Sequence, residues 1–133
     1  MAAPHVLLVE DSDFMATRVT ETLEGIHEFY VTTVDTAEEV RSTLTEYDDI
    51  ECILTNYELP ETNGVKLAAS INGRGNEPAI PIIILTGKEL EPIASDAIRA
   101  GVTEFVYKGD HATGEMDVLA NRINLVLKAY SDR

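Results

Sequence analysis

The sequence predicts an α/β domain in which helices cover both faces of a parallel β-sheet, and three observations support this prediction. Short apolar runs alternate along the chain with longer amphipathic stretches, which is the pattern of repeated strand–helix units. The first run, Val6–Val9, is apolar at every position, as in a strand buried on both faces. The chain has 133 residues and a hydrophobic fraction of 44%. We therefore expect one domain over residues 1–133, with a core of about 5–130 and no effector domain following it.

The first helix is expected directly after the first strand. Asp11-Ser12-Asp13 supplies side-chain oxygens suited to capping its first turn. Met15, Val19 and Leu23 then recur at helical spacing and predict the face that packs on the sheet. The next segment, Tyr30–Val34, mixes Val with Thr, which favours a strand at the edge of the sheet.

The second and third units follow with the same alternation. Thr36 and Glu39 form a capping box for a second helix. A third strand is predicted at Cys52–Thr55, a loop at Asn56–Asn63, and a third helix that opens at Gly64. The predicted inner residues of these two helices are Ala37, Val40, Leu44 and Tyr47, and then Leu67, Ala68 and Ile71.

The last two units contain the most apolar strand and the clearest helix. Ile80–Leu85 predicts the fourth strand, with Pro81 near its start, where a missing N–H is tolerated. A fourth helix is expected to end near Ala100, with Gly101 as the residue that terminates it. Glu104–Tyr107 predicts the fifth strand. The fifth helix is indicated by apolar residues in steps of three and four, namely Met116, Leu119, Ile123, Val126 and Tyr130.

The charge balance excludes several classes of function. The chain carries 24 acidic and 10 basic side chains, a formal net charge of -14. That sign argues against binding nucleic acid through a basic patch and against docking on an anionic membrane. No apolar run is long enough to span a bilayer, and residues 1–5 lack the features of a signal peptide, so we expect a cytoplasmic protein. The acidity is compatible either with solubility in concentrated salt or with an ordinary acidic domain.

The residues that follow the first, third, fourth and fifth predicted strands form a set suited to one binding site. In an open α/β sheet, ligands bind beyond the carboxyl ends of the strands. Glu10 and Asp11 follow the first strand, Asn56 the third, Thr86 the fourth and Lys108 the fifth. Adjacent carboxylates are suited to Mg²⁺, and a hydroxyl with an ammonium group is suited to a phosphoryl group. These residues are therefore the predicted functional site.

With these residues in place, the chain resembles the receiver domain of two-component response regulators. The motifs that carry the resemblance lie in order and at strand ends. They are Leu-Leu-Val-Glu-Asp at 7–11, Ile-Leu-Thr-Asn-Tyr-Glu-Leu-Pro at 53–60, Asn-Gly at 63–64, Pro-Ile-Ile-Ile-Leu-Thr-Gly at 81–87 and Phe-Val-Tyr-Lys at 105–108. The resemblance covers nearly the whole chain. It implies a flavodoxin-like doubly wound (βα)5 fold with strand order 2-1-3-4-5.

The resemblance also implies a role for each site residue. Glu10 and Asp11 would bind Mg²⁺, Asp11 directly and Glu10 through water, together with Asn56 and the backbone carbonyl of Glu58. Thr86 would be the switch hydroxyl, and Lys108 would pair with the phosphoryl group. A switch aromatic is implied at position 105, which is occupied by Phe105.

One departure from the family pattern bears directly on function. The family has its phosphoacceptor aspartate at the position of Asn56, and a neutral carboxamide is a far poorer nucleophile than a carboxylate. We therefore expect no acyl phosphate at this position and weaker Mg²⁺ binding. Asn56 is either natural, in a receiver that signals without phosphorylation, or an engineered replacement of aspartate.

The resemblance implies a signalling domain rather than an enzyme. Its expected partners are a sensor histidine kinase or phosphotransfer protein and a downstream protein target. Docking, and possible homodimer formation, is expected on the face of the fourth helix, fifth strand and fifth helix. The alternative is a haloacid-dehalogenase-like, Mg²⁺-dependent phosphatase that uses Asp11 as nucleophile, although Met15 replaces the threonine that such an enzyme would need.

Overall fold

A parallel β-sheet flanked by helices forms the centre of the structure, a computed structural model that describes residues 3–25, 28–72, 80–86, 101–107 and 115–131. Within these residues the strands are β1 (His5–Val9), β2 (Tyr30–Val34), β3 (Ile50–Asn56), β4 (Glu58–Leu59), β5 (Thr62–Asn63), β6 (Ile82–Thr86) and β7 (Glu104–Tyr107). The helices are α1 (Asp13–Gly25), α2 (Ala37–Glu46), α3 (Gly64–Asn72) and a C-terminal helix (Glu115–Ser131). The main sheet has the order β2-β1-β3-β6-β7 with every neighbouring pair parallel, so the predicted α/β class is confirmed.

The two faces of the sheet pack against different helices because alternate strand residues point in opposite directions. On one face, Val6 and Leu8 of β1 lie in a buried cluster with Leu23 of α1 and Ile123 of the C-terminal helix. On the other face, β1 contributes to a second cluster, which holds residues of α2 and α3. The strand and helix members of that cluster include Leu7, Val9, Val40, Leu67 and Ala68. β1 is thus buried on both faces, as its unbroken apolar run predicts.

Side-chain oxygens cap the first two helices. The hydroxyl of Ser12 accepts a 3.3 Å hydrogen bond from Met15 N, so Ser12, rather than Asp13, is the capping residue of α1. The predicted capping box of α2 is present, since Thr36 Oγ1 accepts from Glu39 N and donates to Glu39 Oε1. These bonds satisfy N–H groups that the first turn of a helix leaves without a backbone partner.

The structure differs from the sequence-based expectation around β3 and β6. β3 begins at Ile50, earlier than predicted. Pro81 precedes β6 and still takes part in pairing, because its carbonyl accepts a 3.0 Å hydrogen bond from Ile53 N, an interaction that needs no N–H of its own. The segment predicted as a loop contains the short antiparallel pair β4–β5, joined by Pro60 and Glu61. Glu61 has a φ of 63°, in the left-handed region.

β2 is at the edge of the sheet, as predicted. Its outer side is partly covered by α1, because Glu24 Oε2 accepts a 2.8 Å hydrogen bond from Val31 N. Tyr30 at the start of this strand is 48% exposed. Gly101 has a φ of 84°, the left-handed conformation that suits a residue following a helix. The predicted fourth helix itself lies outside the described residues. None of the helices in the described ranges is long and apolar enough to cross a membrane.

A buried histidine joins several elements at the amino end of the sheet. His5 is only 1% exposed. Its Nδ1 lies 2.8 Å from Asp49 Oδ1, and its Nε2 lies 2.7 Å from Thr32 Oγ1. The ring centroid is 4.4 Å from that of Tyr30 and 5.3 Å from that of Tyr47. His5 therefore links β1 to β2 and to the segment between α2 and β3, at the opposite end of the sheet from Asn56.

Cys52 is fully buried in β3, and this leads to a prediction about alkaline pH. Burial, with a smaller contribution from the charge of Glu51, raises the pKa of its thiol from 9.0 to about 12. In the unfolded chain the thiol ionises above pH 9.0, whereas in the folded protein it stays neutral. Stability should therefore fall as pH rises from 9 towards 12. Ionisation of this thiol in the unfolded chain should raise the unfolding equilibrium constant by up to about tenfold per pH unit.

Urea unfolding at pH 7 to 11 checks this prediction, with Cys52→Ala as the comparison. The variant should be less stable at neutral pH because it leaves a small cavity, but the deficit should shrink as pH rises above 9. A deficit that stays constant over this range would contradict the prediction. The comparison between the two chains removes the contribution of tyrosine and lysine side chains, which titrate in both.

Candidate functional site

The carboxyl ends of the central strands bring the predicted site residues to one edge of the sheet. Asn56 is the last residue of β3, which lies between β1 and β6. Glu10 follows β1 directly and donates its N–H to Val34 O at 3.0 Å. Thr86 is the last residue of β6, one position beyond Leu85, the residue paired with Asn56. The backbone therefore places Glu10, Asn56 and Thr86 on the same side of the fold.

The two acidic residues after β1 have very different environments. Glu10 is 2% exposed, and its Oε2 accepts a 3.3 Å hydrogen bond from Ser12 N. Asp11 is exposed to solvent. Burying a carboxylate is unfavourable unless polar groups compensate it, and the Ser12 N–H at the start of α1 is one such group. Asp11 is the member of the pair that solvent reaches directly.

Asn56 is held by a contact with the turn that follows it. Its Nδ2 donates a 2.7 Å hydrogen bond to the backbone carbonyl of Glu58, two residues further along. Asn56 is half-buried, while Glu58 is exposed. The side-chain amide thus forms a hydrogen bond across the turn between β3 and β4. Its acceptor is the carbonyl that the resemblance assigns to a metal ion.

Backbone hydrogen bonds fix the same turn from both sides. Tyr57 N donates to Leu85 O at 2.8 Å, and Gly64 N donates to Tyr57 O at 2.7 Å. The first residue of α3 has to be a glycine here, because a Cβ on Gly64 would come within 2.9 Å of Asn56 O and 3.2 Å of Thr55 Cγ2. The start of α3 is therefore packed directly against the end of β3.

Mg²⁺ takes oxygen ligands in near-octahedral geometry, and the contact made by Asn56 limits what these residues offer it. An N–H group of Asn56, rather than an oxygen, faces the Glu58 carbonyl. Only Glu10 and Asp11 remain as the acidic pair, and residue 56 adds no charge. Within the described ranges, no group of three or more His, Cys, Asp and Glu side chains is placed to hold a metal ion. The assignment of Glu10, Asp11, Asn56 and Glu58 as Mg²⁺ ligands therefore stays a prediction, and the Asn56–Glu58 hydrogen bond argues against it.

The structure describes only the backbone of Thr86 and Phe105, and it does not describe Lys108. Phe105 lies in β7, where its backbone is paired with Ile84. The side chains of Thr86 and Phe105, and the whole of Lys108, are outside the described residues. Their assignment as switch and phosphoryl-binding groups stays a prediction.

Sequence reasoning missed two contacts that shape the site. The Asn56–Glu58 hydrogen bond has no sequence signal, because it depends on the course of the turn between the two residues. The tight approach of Gly64 to β3 was also missed, although a signal existed. Glycine is a poor helix former, so its presence at a helix start indicates a need for space or a special conformation.

Comparison with known proteins identifies the family of this arrangement. The model of the response regulator receiver domain matches residues 6–117. Among curated proteins, the two-component response regulator ORR5 of Oryza sativa subsp. japonica is 26% identical over 106 residues, which cover 80% of this chain and 78% of that protein. A chemotaxis protein CheY homolog of Campylobacter jejuni is 26% identical over 103 residues, covering 77% and 79%.

Solved structures show the same fold. A signal receiver domain of an HD domain-containing protein from Pseudomonas fluorescens Pf-5 has a TM-score of 0.83 at 19% identity, covering 99% of this chain and 92% of that one. The chemotaxis response regulator CheY4 of Vibrio cholerae has a TM-score of 0.79 at 18% identity, covering 92% and 99%. At these identities the likeness concerns the fold alone, and it supports the flavodoxin-like α/β architecture.

Proposed function

The chain belongs to the family of response regulator receiver domains of two-component signalling, and from this premise we propose that it transmits a signal by binding partner proteins rather than by accepting a phosphoryl group. The single observation that carries the proposal is Asn56 at the end of β3, hydrogen-bonded to Glu58 O in the turn of the site. Receiver domains are in general signalling domains rather than enzymes, and we propose the same for this chain.

The chemistry of the side chain supports this proposal. To form an acyl phosphate, a carboxylate oxygen attacks phosphorus and the donor's leaving group departs. The carboxamide of Asn56 carries no negative charge, and its nitrogen lone pair is delocalised into the carbonyl. The amide is also engaged by the Glu58 carbonyl at 2.7 Å. Thr86 and Lys108 retain the residue types that would contact a phosphoryl group. The lack of a carboxylate at residue 56 is therefore what would prevent formation of the acyl phosphate.

Partners are proposed on the basis of the family. Receiver domains typically interact with histidine kinases or phosphotransfer proteins. A receiver with Asn56 would engage such a protein without taking its phosphoryl group, and would thereby compete with receivers that do. We propose the predicted face of the fourth helix, β7 and the C-terminal helix as the output surface, where a downstream target or a second copy would dock, and the cytoplasm as the location.

Intact mass after incubation with a small phosphodonor and Mg²⁺ tests the proposal. The chain as given should gain no phosphoryl group. Asn56→Asp should gain one, and the adduct should be lost in hydroxylamine, which cleaves acyl phosphates. The expected change is from no detectable adduct to a substantial fraction of the molecules, because the substitution restores the nucleophilic carboxylate beside Glu10 and Asp11.

Asn63→Asp is the matched control, since it adds the same charge seven residues away. Asn63 Oδ1 accepts a hydrogen bond from Lys66 N and caps α3, a role that aspartate also performs. This variant should stay unmodified. An adduct on the chain as given, or on Asn63→Asp, would reveal another acceptor and overturn the proposal.

No finding favours the alternative phosphatase. Met15, which stands where such an enzyme needs threonine, is a residue of α1 whose N–H is capped by Ser12. Neither the family model nor the relatives described above belong to the haloacid dehalogenase type.

A further inference from the structure

The turn after β3 contains a hydrogen bond between two groups that, in the family arrangement, would both bind a metal ion. Asn56 Nδ2 and Glu58 O are 2.7 Å apart, a short and well-formed neutral hydrogen bond. In the arrangement implied by the family resemblance, the residue at position 56 and the carbonyl at position 58 are instead joined through a divalent cation. Here the side chain and the carbonyl contact each other directly.

The rest of the turn keeps this contact in place. Tyr57, between the two partners, donates its N–H to Leu85 O and accepts from Gly64 N, at 2.8 and 2.7 Å. Both neighbours belong to regular elements, β6 and α3, so the peptide between Asn56 and Glu58 is anchored on both sides. The close approach of Gly64 to Asn56 O leaves little space for the end of β3 to shift towards α3.

Binding of a divalent cation at this turn is expected to be unfavourable. An ion bound to Glu58 O would compete with the Asn56 amide for that carbonyl and would face its N–H group. It would gain only the charges of Glu10 and Asp11, of which Glu10 is buried and already accepts a hydrogen bond from Ser12 N. A carboxylate at position 56 has the opposite preference. Its oxygen would face the Glu58 carbonyl oxygen, and two acceptors at that separation repel each other unless a cation or proton lies between them.

We propose that the Asn56 carboxamide replaces a divalent cation as the group that closes the β3–β4 turn, so that the site of this chain is set in one conformation without metal. The inference rests on the proposed assignment of Asn56 to the acceptor position. It adds that the surface around the turn, including exposed Asp11 and Glu58, is presented to partners in the same form at any Mg²⁺ concentration. Metal dependence would be regained by a single substitution at residue 56.

Thermal unfolding with Mg²⁺ and with EDTA, in the absence of any phosphodonor, tests the inference. The chain as given should unfold at the same temperature in both, within about 1 °C at equal ionic strength. Asn56→Asp should be destabilised in EDTA and should recover by about 5 °C or more in saturating Mg²⁺. Asn56→Ala is the matched control, because it lacks both the hydrogen bond and the charge, and should be destabilised without responding to Mg²⁺.

A second measurement uses the unaltered chain and does not depend on how the variants fold. Substoichiometric Mn²⁺ broadens backbone amide signals near its binding site in NMR spectra. In the chain as given, Tyr57 and Glu58 should keep their intensities, whereas in Asn56→Asp both should be broadened strongly, together with Asp11. Equal broadening in the two chains, or an equal rise of the melting temperature with Mg²⁺, would refute the inference. Neither experiment contains a phosphodonor, so its outcome is independent of whether the proposed lack of phosphorylation holds.

Discussion

Replacing Gly64 by alanine should lower the free energy of unfolding by about 2–3 kcal/mol. The added Cβ would lie 2.9 Å from Asn56 O, 3.2 Å from Thr55 Cγ2 and 3.4 Å from Ile84 Cδ1. The nearest of these atoms belongs to the backbone of β3, which is paired on both sides and cannot turn away as a flexible side chain would. The first turn of α3 would have to move instead, which would lengthen the Gly64 N–Tyr57 O hydrogen bond.

Urea unfolding of Gly64→Ala and Gly25→Ala measures this effect against a matched control. Gly25 ends α1, and a Cβ on it would meet nothing within 4 Å. Alanine should therefore be neutral there or stabilising by up to about 1 kcal/mol. Gly64→Ala should also shift the amide NMR signals of Asn56 and Tyr57, while Gly25→Ala should leave them in place. Equal stabilities of the two variants would contradict the prediction, because they would mean that a Cβ fits between α3 and β3 without strain.

The second large effect is expected at the opposite end of the sheet. His5→Ala should destabilise the protein by about 2–4 kcal/mol, because it removes a buried ring and both of its hydrogen-bond contacts. Thr32 Oγ1 would lose its partner at 2.7 Å, and the rings of Tyr30 and Tyr47 would face a cavity. Since His5 begins β1 and the site lies beyond the end of that strand, Mg²⁺ response and phosphodonor response should stay unchanged.

Two further variants separate the contributions at His5. Asp49 is 65% exposed, so the charge in its contact with Nδ1 is screened by water, and Asp49→Asn should cost no more than about 0.5 kcal/mol. Thr32→Val should cost about 1–2 kcal/mol, because it leaves a buried ring nitrogen without its contact. These values come from chemical denaturation at neutral pH. A loss in Asp49→Asn as large as that in His5→Ala would show that the contact with the Asp49 carboxylate, rather than the buried ring, stabilises this end of the sheet.

The sequence predicted the fold class well because local signals and burial agree along most of the chain. Val6–Val9 is apolar throughout and is buried on both faces. The capping box at Thr36 and the inner residues Val19 and Leu23 of α1 are where the periodicity places them. Glu10, Asn56 and Thr86 reach one edge of the sheet because the strands that precede them are parallel, so their placement together is predictable from topology.

Three features were not predictable from the sequence: the β4–β5 pair, the burial of His5 and the Asn56–Glu58 hydrogen bond. The β4–β5 pair is only two residues long on each side and is joined by a turn in which Glu61, not glycine, adopts a positive φ. No periodicity can be detected over so few residues. His5 gave no signal of burial, because its contacts come from β2 and from the segment before β3. The contact of Asn56 with Glu58 depends on the course of the turn, which the sequence does not specify.

The carboxylate of Glu24 at the outer side of β2 has a consequence for how copies of the protein behave at high concentration. An unpaired strand edge is a template on which a strand of another molecule can add, and such addition leads to aggregation. By accepting the N–H of Val31 at 2.8 Å, Glu24 withdraws one of the donors that an incoming strand would need. It also places a negative charge beside the exposed Tyr30, where an approaching copy with the same charge of -14 is repelled. One acidic side chain thus protects the sheet both by occupying a hydrogen-bond donor and by electrostatic repulsion.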